Sequence, residues 1–348
     1  MEPDRDSGEI QAVLNVSDPP GKLAGRSAPA EPGLEAPAAD GGGRRVRRWV
    51  LRLVPLVLLI AAGWVLWREF RHLSLADVGT AIAAWGYGRI VAVMGLAAFS
   101  FFLMGVVEWL GVRWAGARVP WWPVIGVSFL ANAIAHAVGA NLLVSGALRA
   151  RLYDRYGVNL AQVAAMTLFG GMSFAVGLGM LGGCGLALSP ARQIAATAIP
   201  LVLARGVGWA LIAAVLGYVL LCALRRAPVH AFGRSLALPS AGDAAAQIVV
   251  GVVDNGVAAA IIWLLLPPGE VPYQTFVGAY AVAAVAGLVS TVPGGAGVFE
   301  GSISALLPQA DFAALAAAFL GYRLSYYLLP LIVAGLALAV HTVRTRGR

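Results

Sequence analysis

Residues 121–148 read WWPVIGVSFLANAIAHAVGANLLVSGAL, and how this stretch meets a bilayer decides the fold. If it crosses, Arg149, Arg151 and Arg155 lie on the side opposite Arg113 and Arg118, and so later do Arg225, Arg226 and Arg234. That breaks the rule that basic loops stay on the cytoplasmic side. If it dips in and returns, all of these Arg residues stay on one side. Gly139, Asn141 and Gly146 supply helix-breaking residues for the turn. We therefore expect a re-entrant helical hairpin. Irregular backbone at membrane depth survives only where protein or a wet cavity covers it, so the dip implies a cavity.

The neighbours follow. Arg44, Arg45, Arg47, Arg48 and Arg52 precede or open the apolar run 49–67, which fixes the N-terminal side as cytoplasmic. Residues 68–88 form an outer connection, and 89–112 return inward. After the dip, 160–187 go out, 198–224 come in and 243–266 go out. Pro267, Pro268, Gly269 and Glu270 make an outer turn. Residues 273–291 and 297–308, split by Pro293, Gly294 and Gly295, form a second dip from the outer face. Residues 312–341 come in, with tilt or a break expected near Pro330. Arg344, Arg346 and Arg348 then end in the cytoplasm. The expected class is an all-α polytopic membrane protein with six full crossings and two opposed hairpins.

This order contains a symmetry. Segment 89–112, the first dip and 160–187 read inward, inner dip, outward. Segment 243–266, the second dip and 312–341 read outward, outer dip, inward. The second set is the first turned upside down, an arrangement that transporters use to build a midplane site from broken helices.

Composition agrees with a lipid environment. Of the 348 residues 59% are hydrophobic and 12% charged, against about 25% charged in soluble domains. Residues 1–43 carry eight acids against three bases, a charge of −5, so the rest must carry +13 to give the net +8. Few large apolar residues occur there, so residues 1–48 are expected to be a disordered cytoplasmic tail. Its late apolar run and its acids argue against a signal or transit peptide. The basic residues sit at the ends of apolar runs, as topology signals do, which excludes a nucleic-acid-binding face. Cys184 and Cys222 lie in apolar stretches and suggest neither a disulfide nor a metal site. No cofactor is expected.

Ionisable residues inside spans are costly and mark function by default. Asp254 falls mid-span in 243–266, and Arg323 inside 312–341, at comparable depths on the arms flanking the outer dip. They are positioned to pair. Glu108 lies near the inner end of 89–112, where snorkelling to the headgroups competes with a functional role, as it does for Arg205. His136 reads as a hydrogen-bonded packing residue. Arg149, Arg151 and Tyr153 close the inner dip at headgroup level, and planar guanidiniums suit phosphate. In the outer dip, Pro293, Gly294, Gly295 and Gly297 break the helix and expose backbone N–H groups, and Glu300 falls in the first turn of the following half-helix.

Pro293-Gly294-Gly295-Ala296-Gly297-Val298-Phe299-Glu300 and the Gly146, Arg149, Tyr153 stretch resemble the transmembrane region of bacterial lysylphosphatidylglycerol synthases and related stand-alone membrane proteins, including hopanoid-linked ones. Asp254 ahead of Ile261–Pro267, Tyr322 to Pro330, and Glu108 also look like family positions. The resemblance spans about residues 50–342. It implies a lipid translocase fold, with Arg149, Arg151, Tyr153, Asp254, Arg323, Glu300 and Glu108 as candidate binding and translocation residues. Those synthases carry a large soluble transferase domain after this region, and the present sequence stops at Arg348.

The expected function is movement of a phospholipid-like or hopanoid lipid between leaflets of a bacterial inner membrane. The alternatives are a membrane-embedded lipid-modifying enzyme, with Glu108, Asp254 or Glu300 as general base, and a scaffold for lipid-synthesis enzymes. The expected partners are membrane lipids; lipid-biosynthesis enzymes and a second copy of the chain are further candidates.

Overall fold

The computed structural model describes residues 75–138, 141–225, 229–231, 234–236, 238–290, 295 and 297–344. The tail at 1–48, the run 49–67 and the last four residues therefore lie outside the described residues. So do Gly139, Arg226, Pro293 and Gly294.

A short helix α1 (Leu75–Ala83) leads into α2 (Tyr87–Trp114). Helices α3 (Trp121–Val138) and α4 (Asn141–Tyr153) follow, then α5 (Leu160–Leu188), the short α6 (Ala191–Ala195) and α7 (Leu201–Leu224). A two-stranded hairpin, β1 (Val229–Ala231) with β2 (Arg234–Leu236), joins α7 to α8 (Ala241–Leu265). Then come α9 (Tyr273–Val289), α10 (Val298–Leu306), α11 (Phe312–Arg323), a π-helical turn at Leu324–Leu328, and α12 (Leu329–Arg344).

Among the described residues, five helices are long and apolar enough to cross a membrane: Tyr87–Trp114, Leu160–Leu188, Leu201–Leu224, Ala241–Leu265 and Phe312–Ala337. Each coincides with an expected span. The sixth expected span, 49–67, is outside the described residues. Helix α7 shows why water is the wrong solvent for this fold. It leaves Val202, Leu203, Trp209, Leu216, Leu220 and Leu224 exposed along its length, a surface that only hydrocarbon would cover without cost.

The helix ends are written in the sequence. Asn159 caps α5: its side chain accepts from Gln162 N at 2.9 Å, and the Gln162 side chain accepts from Asn159 N at 3.1 Å. Ser240 and Asp311 cap α8 and α11 in the same way, accepting from Asp243 N and Ala314 N. Near Pro330, where tilt or a break is expected, the helix runs on unbroken but carries a π turn just before the proline. Proline lacks the N–H that would bond back to Tyr326, and its ring crowds that carbonyl, so the helix widens by one residue there.

Both expected dips are helix–break–helix units whose halves pack on each other: α3 on α4, and α9 on α10. One detail needs correction. Gly146 does not break a helix; it lies inside α4, which begins at Asn141, while α3 ends at Val138. A single interior glycine costs a helix only about 1 kcal/mol, which the surrounding residues offset. In the second hairpin the break is where the glycines are. Gly295 and Gly297 have φ of 65° and 80°, a region that side chains resist.

The two sets of helices mirror one another in their packing. In the first set α2 packs on α3, α3 on α4, α4 on α5, and α2 on α5. In the second, α8 packs on α9, α9 on α10, α10 on α11, and α8 on α11. Across the sets, α5 packs on α8 and α9, and correspondingly the π turn packs on α2 and α12 on α3. Helices α2 and α8, the equivalent first arms, pack on each other. The α5–α8 crossing is the closest. A Cβ on Gly177 would stand 2.2 Å from the Gly251 carbonyl carbon, and one on Gly251 would stand 2.3 Å from Ser173 O. Small residues let helix backbones touch where lipid removes the hydrophobic drive to associate.

Candidate functional site

Three polar clusters lie within this apolar bundle. The first joins α2 to α4. Arg149 Nε donates to Glu108 Oε1 at 2.8 Å and lies 2.9 Å from Oε2, while Arg149 Nη2 sits 2.7 Å from Oε2. Tyr153 OH adds a bond to Oε1 at 3.2 Å. Glu108 is 5% exposed and Arg149 7%, so neither reaches out to a headgroup in this state. This fork-on-carboxylate geometry is the strong form of the ion pair.

The second cluster joins α10 to α11. Arg323 Nε donates to Glu300 Oε1 at 2.9 Å, and Nη2 contacts the same oxygen. Glu300 Oε2 accepts from Gly297 N at 2.9 Å. The positive φ of Gly297 turns its N–H toward the helix start, so the protein's own carboxylate fills the anion position at the N-terminus of α10. The Arg323 guanidinium also lies over the Tyr327 ring, 5.4 Å from its centroid. Each hairpin thus has its second half tied to a long arm by a buried carboxylate–guanidinium pair.

The third cluster lies between the sets. Ser100 of α2 donates to Asp254 Oδ1 of α8, and its hydroxyl lies 2.6 Å from Tyr326 OH on the π turn. A column of aromatic rings surrounds it. Tyr326 stacks on Tyr322 at 5.1 Å and on His136 of α3 at 5.7 Å, and packs against Phe101 at 5.5 Å. Tyr322 stacks on Phe299 of α10 at 6.3 Å, and Phe299 meets Tyr280 of α9 edge-on at 5.7 Å. The rings therefore run from the first hairpin to the second.

The structure redistributes the residues expected from sequence. Asp254 and Arg323 do not pair: Arg323 is bound to Glu300 and Asp254 to Ser100. Arg149 and Arg151 do not form one patch. Arg149 points into the bundle and Arg151 is exposed, because helical positions two apart face about 200° apart, on opposite sides. Glu108 does not snorkel; it is the buried partner of Arg149. Arg205 Nη2 donates to Ser189 O at 2.8 Å. His136 packs among rings, but its buried Nδ1 has no hydrogen-bond partner among the described residues, contrary to the expected bonded histidine. Asn141 opens α4.

Ser100 and the Tyr326 hydroxyl were not singled out by the sequence. A serine in an apolar span carries little signal by itself. The spacing of Tyr322 and Tyr326, four apart, does place two rings on one helix face. Among the described residues no group of three or more His, Cys, Asp or Glu is placed to hold a metal ion.

A bundle of apolar crossing helices, two packed hairpins and buried ion pairs defines a polytopic membrane protein. The family model for the lysylphosphatidylglycerol synthase TM region matches residues 52–334, and the chain belongs to that family. Two relatives are similar over most of their length. The uncharacterized protein slr0712 of Synechocystis is 30% identical over 272 residues, 78% of this chain and 84% of that protein. The inner membrane protein YbhN of Escherichia coli K12 is 27% identical over 300 residues, 84% of this chain and 90% of that one.

Proposed function

We propose that this protein moves a lipid, phospholipid-like or hopanoid, between the leaflets of a bacterial inner membrane, with both termini cytoplasmic. The observation that carries this reading is the pair of helical hairpins, each pinned by a buried carboxylate–guanidinium pair, with an aromatic column between them. In this reading the hairpins are re-entrant from opposite faces. A lipid headgroup competes for the guanidiniums of Arg149 and Arg323, because phosphate accepts the same two-pronged contact as carboxylate. Exposed Arg151 first attracts the headgroup, and separation of the hairpins at the rings opens the way between the pairs. Tyr153 and Glu300 hold the two guanidinium sites in shape while they are vacant.

The same geometry weighs against an enzyme. A general base needs an available carboxylate; Glu108 and Glu300 are both neutralised by Arg, which leaves Asp254, bonded to Ser100, as the one of the three candidates an enzyme could use. A leaflet-resolved lipid analysis of a strain lacking the gene tests the reading. Unchanged lipid totals with an altered leaflet distribution are expected; a missing lipid product would establish the enzyme instead, and an unaltered distribution would favour a scaffold.

A further inference from the structure

Among the described residues, three carboxylates face the packed interior from the long helices and hairpins: Glu108, Asp254 and Glu300. Two hold a guanidinium. Asp254 has no cation within salt-bridge distance among the described residues; its partner is the hydroxyl of Ser100. An ionised carboxylate in apolar surroundings without a counter-charge costs several kcal/mol. The cost disappears if the group takes up a cation or a proton. A hard metal ion wants about six oxygens, whereas Asp254 is joined here to one hydroxyl, itself joined to a second.

The position is as telling as the chemistry. Ser100 lies thirteen residues beyond Tyr87, the first residue of α2, and Asp254 thirteen beyond Ala241, the first of α8. These helices are the equivalent first arms of the two sets, and they pack on each other. The Ser100–Asp254 contact therefore joins the sets at equivalent depth, and Tyr326 adds the arm that carries the second ion pair.

We propose that Asp254 is a proton-binding site whose occupancy reverses the hydrogen-bond chain between the two halves of the protein. With Asp254 ionised, Tyr326 O–H donates to Ser100 and Ser100 O–H donates to Asp254. When a proton binds, the new carboxyl O–H donates to Ser100, and Ser100 O–H turns to Tyr326. The Tyr326 proton then needs another acceptor. The unpartnered Nδ1 of His136 supplies one when its ring tilts out of the near-parallel stack on Tyr326, because its lone pair lies in the ring plane; the imidazole is then the tautomer protonated at Nε2. One proton is gained and no other bond is broken. The link between α2, α8 and the π turn changes direction, which biases the two halves between arrangements.

Tyr280 of α9 and Tyr326 are the other titratable groups facing this carboxylate. Of the remaining groups on helices packed against α8, Tyr87 is exposed and Arg89 half-buried in the first turn of α2, away from Ser100, and exposed Arg113 lies over the Trp109 ring. Glu108 and Arg323 are in ion pairs, and Arg205, Tyr218 and Tyr273 bond to Ser189, Gln247 and Gly256. Tyr322 stacks between Phe299 and Tyr326, and Cys184 and Cys222 are thiols of α5 and α7.

What the proton drives rests on the lipid-translocase reading; that it binds does not. The full chain is placed in nanodiscs and its infrared spectrum is followed as pH is varied. A protonated-carboxyl band is expected that titrates, vanishes in Asp254→Asn and shifts in frequency in Ser100→Ala. In liposomes of phosphatidylethanolamine and phosphatidylglycerol, an imposed proton gradient is expected to raise labelled-phospholipid translocation severalfold, and Asp254→Asn to remove that gain. If no lipid moves but the Asp254 band titrates, the proton site stands and the translocase reading falls. If lipid moves at a rate indifferent to the gradient, or responds to a sodium gradient alone, the proton proposal is overturned. A titrating band retained in Asp254→Asn also overturns it. Should that variant not fold, an unshifted band in Ser100→Ala overturns it equally.

Discussion

Arg149 grips both carboxylate oxygens of Glu108, the two residues being 41 positions apart in the chain and almost wholly buried where α4 meets α2. The contact fixes the returning half of the first hairpin. Removing one partner leaves a lone buried charge, which costs about 3–5 kcal/mol. Arg149→Ala and Glu108→Ala should each lower the unfolding free energy of the purified protein in detergent by that order. Glu108→Ala combined with Arg149→Ala should cost less than the two single losses added. Additive losses would show that the two side chains act independently.

The second pair predicts a different outcome. Glu300 both binds Arg323 and accepts from Gly297 N. Glu300→Gln keeps an acceptor for the Gly297 N–H but leaves Arg323 without its counter-charge. Arg323→Lys keeps the charge but gives up the fork. Glu300→Gln should therefore be the more damaging to thermal stability, because burial makes the uncompensated charge the larger loss. Melting curves of the two variants side by side decide it.

A steric prediction comes from α5 and α8. Gly177→Ala places a methyl 2.2 Å from the Gly251 carbonyl carbon, where the obstacle is backbone that cannot rotate away. Both Gly177→Ala and Gly251→Ala should lose folded, monodisperse protein on size-exclusion chromatography. Gly146→Ala, which meets nothing within 4 Å in α4, should be neutral or slightly stabilising by up to about 1 kcal/mol. Equal behaviour of the three would contradict the crossing described.

Pro330→Ala restores the missing N–H behind the π turn. The turn should tighten toward α-helix and rotate Tyr326 relative to Ser100, 2.6 Å away. Loss of the Ser100 shift in the Asp254 carboxyl band would report the broken link; an unchanged band would show that another contact sets the π turn.

Much of the architecture was legible in the sequence, because membrane helices announce themselves by length and charge placement. The apolar runs 89–112, 160–187 and 243–266 located three long helices to within a few residues at most ends. The glycines around residue 295 located the second break. The first break was placed less well, since Gly146 is as apolar-compatible inside a helix as at its end. The pairing of charges was not legible. Depth along a span suggests that Asp254 and Arg323 can meet, but azimuth and helix packing decide the partner, and these put Glu300 nearer. Arg149 and Arg151 looked alike in sequence and face different ways. Of the residues that link the two halves, His136 and Tyr326 stood out in the sequence but not as partners, and Ser100 is a small group in an apolar run that only the contact between distant helices distinguishes.

The central claim is that lipid crosses between leaflets through this protein. Full-length chain in liposomes of phosphatidylethanolamine and phosphatidylglycerol carrying trace headgroup-labelled glycerophospholipid or hopanoid tests it directly. An impermeant quencher reads how much label reaches the outer leaflet with time. Quenching is expected to pass the half-way plateau of protein-free vesicles for at least one label, and Arg149→Ala or Arg323→Ala, checked for folding, to return it to that plateau. Quenching that stays at the plateau for every label, with correctly folded protein in the membrane, would contradict the claim.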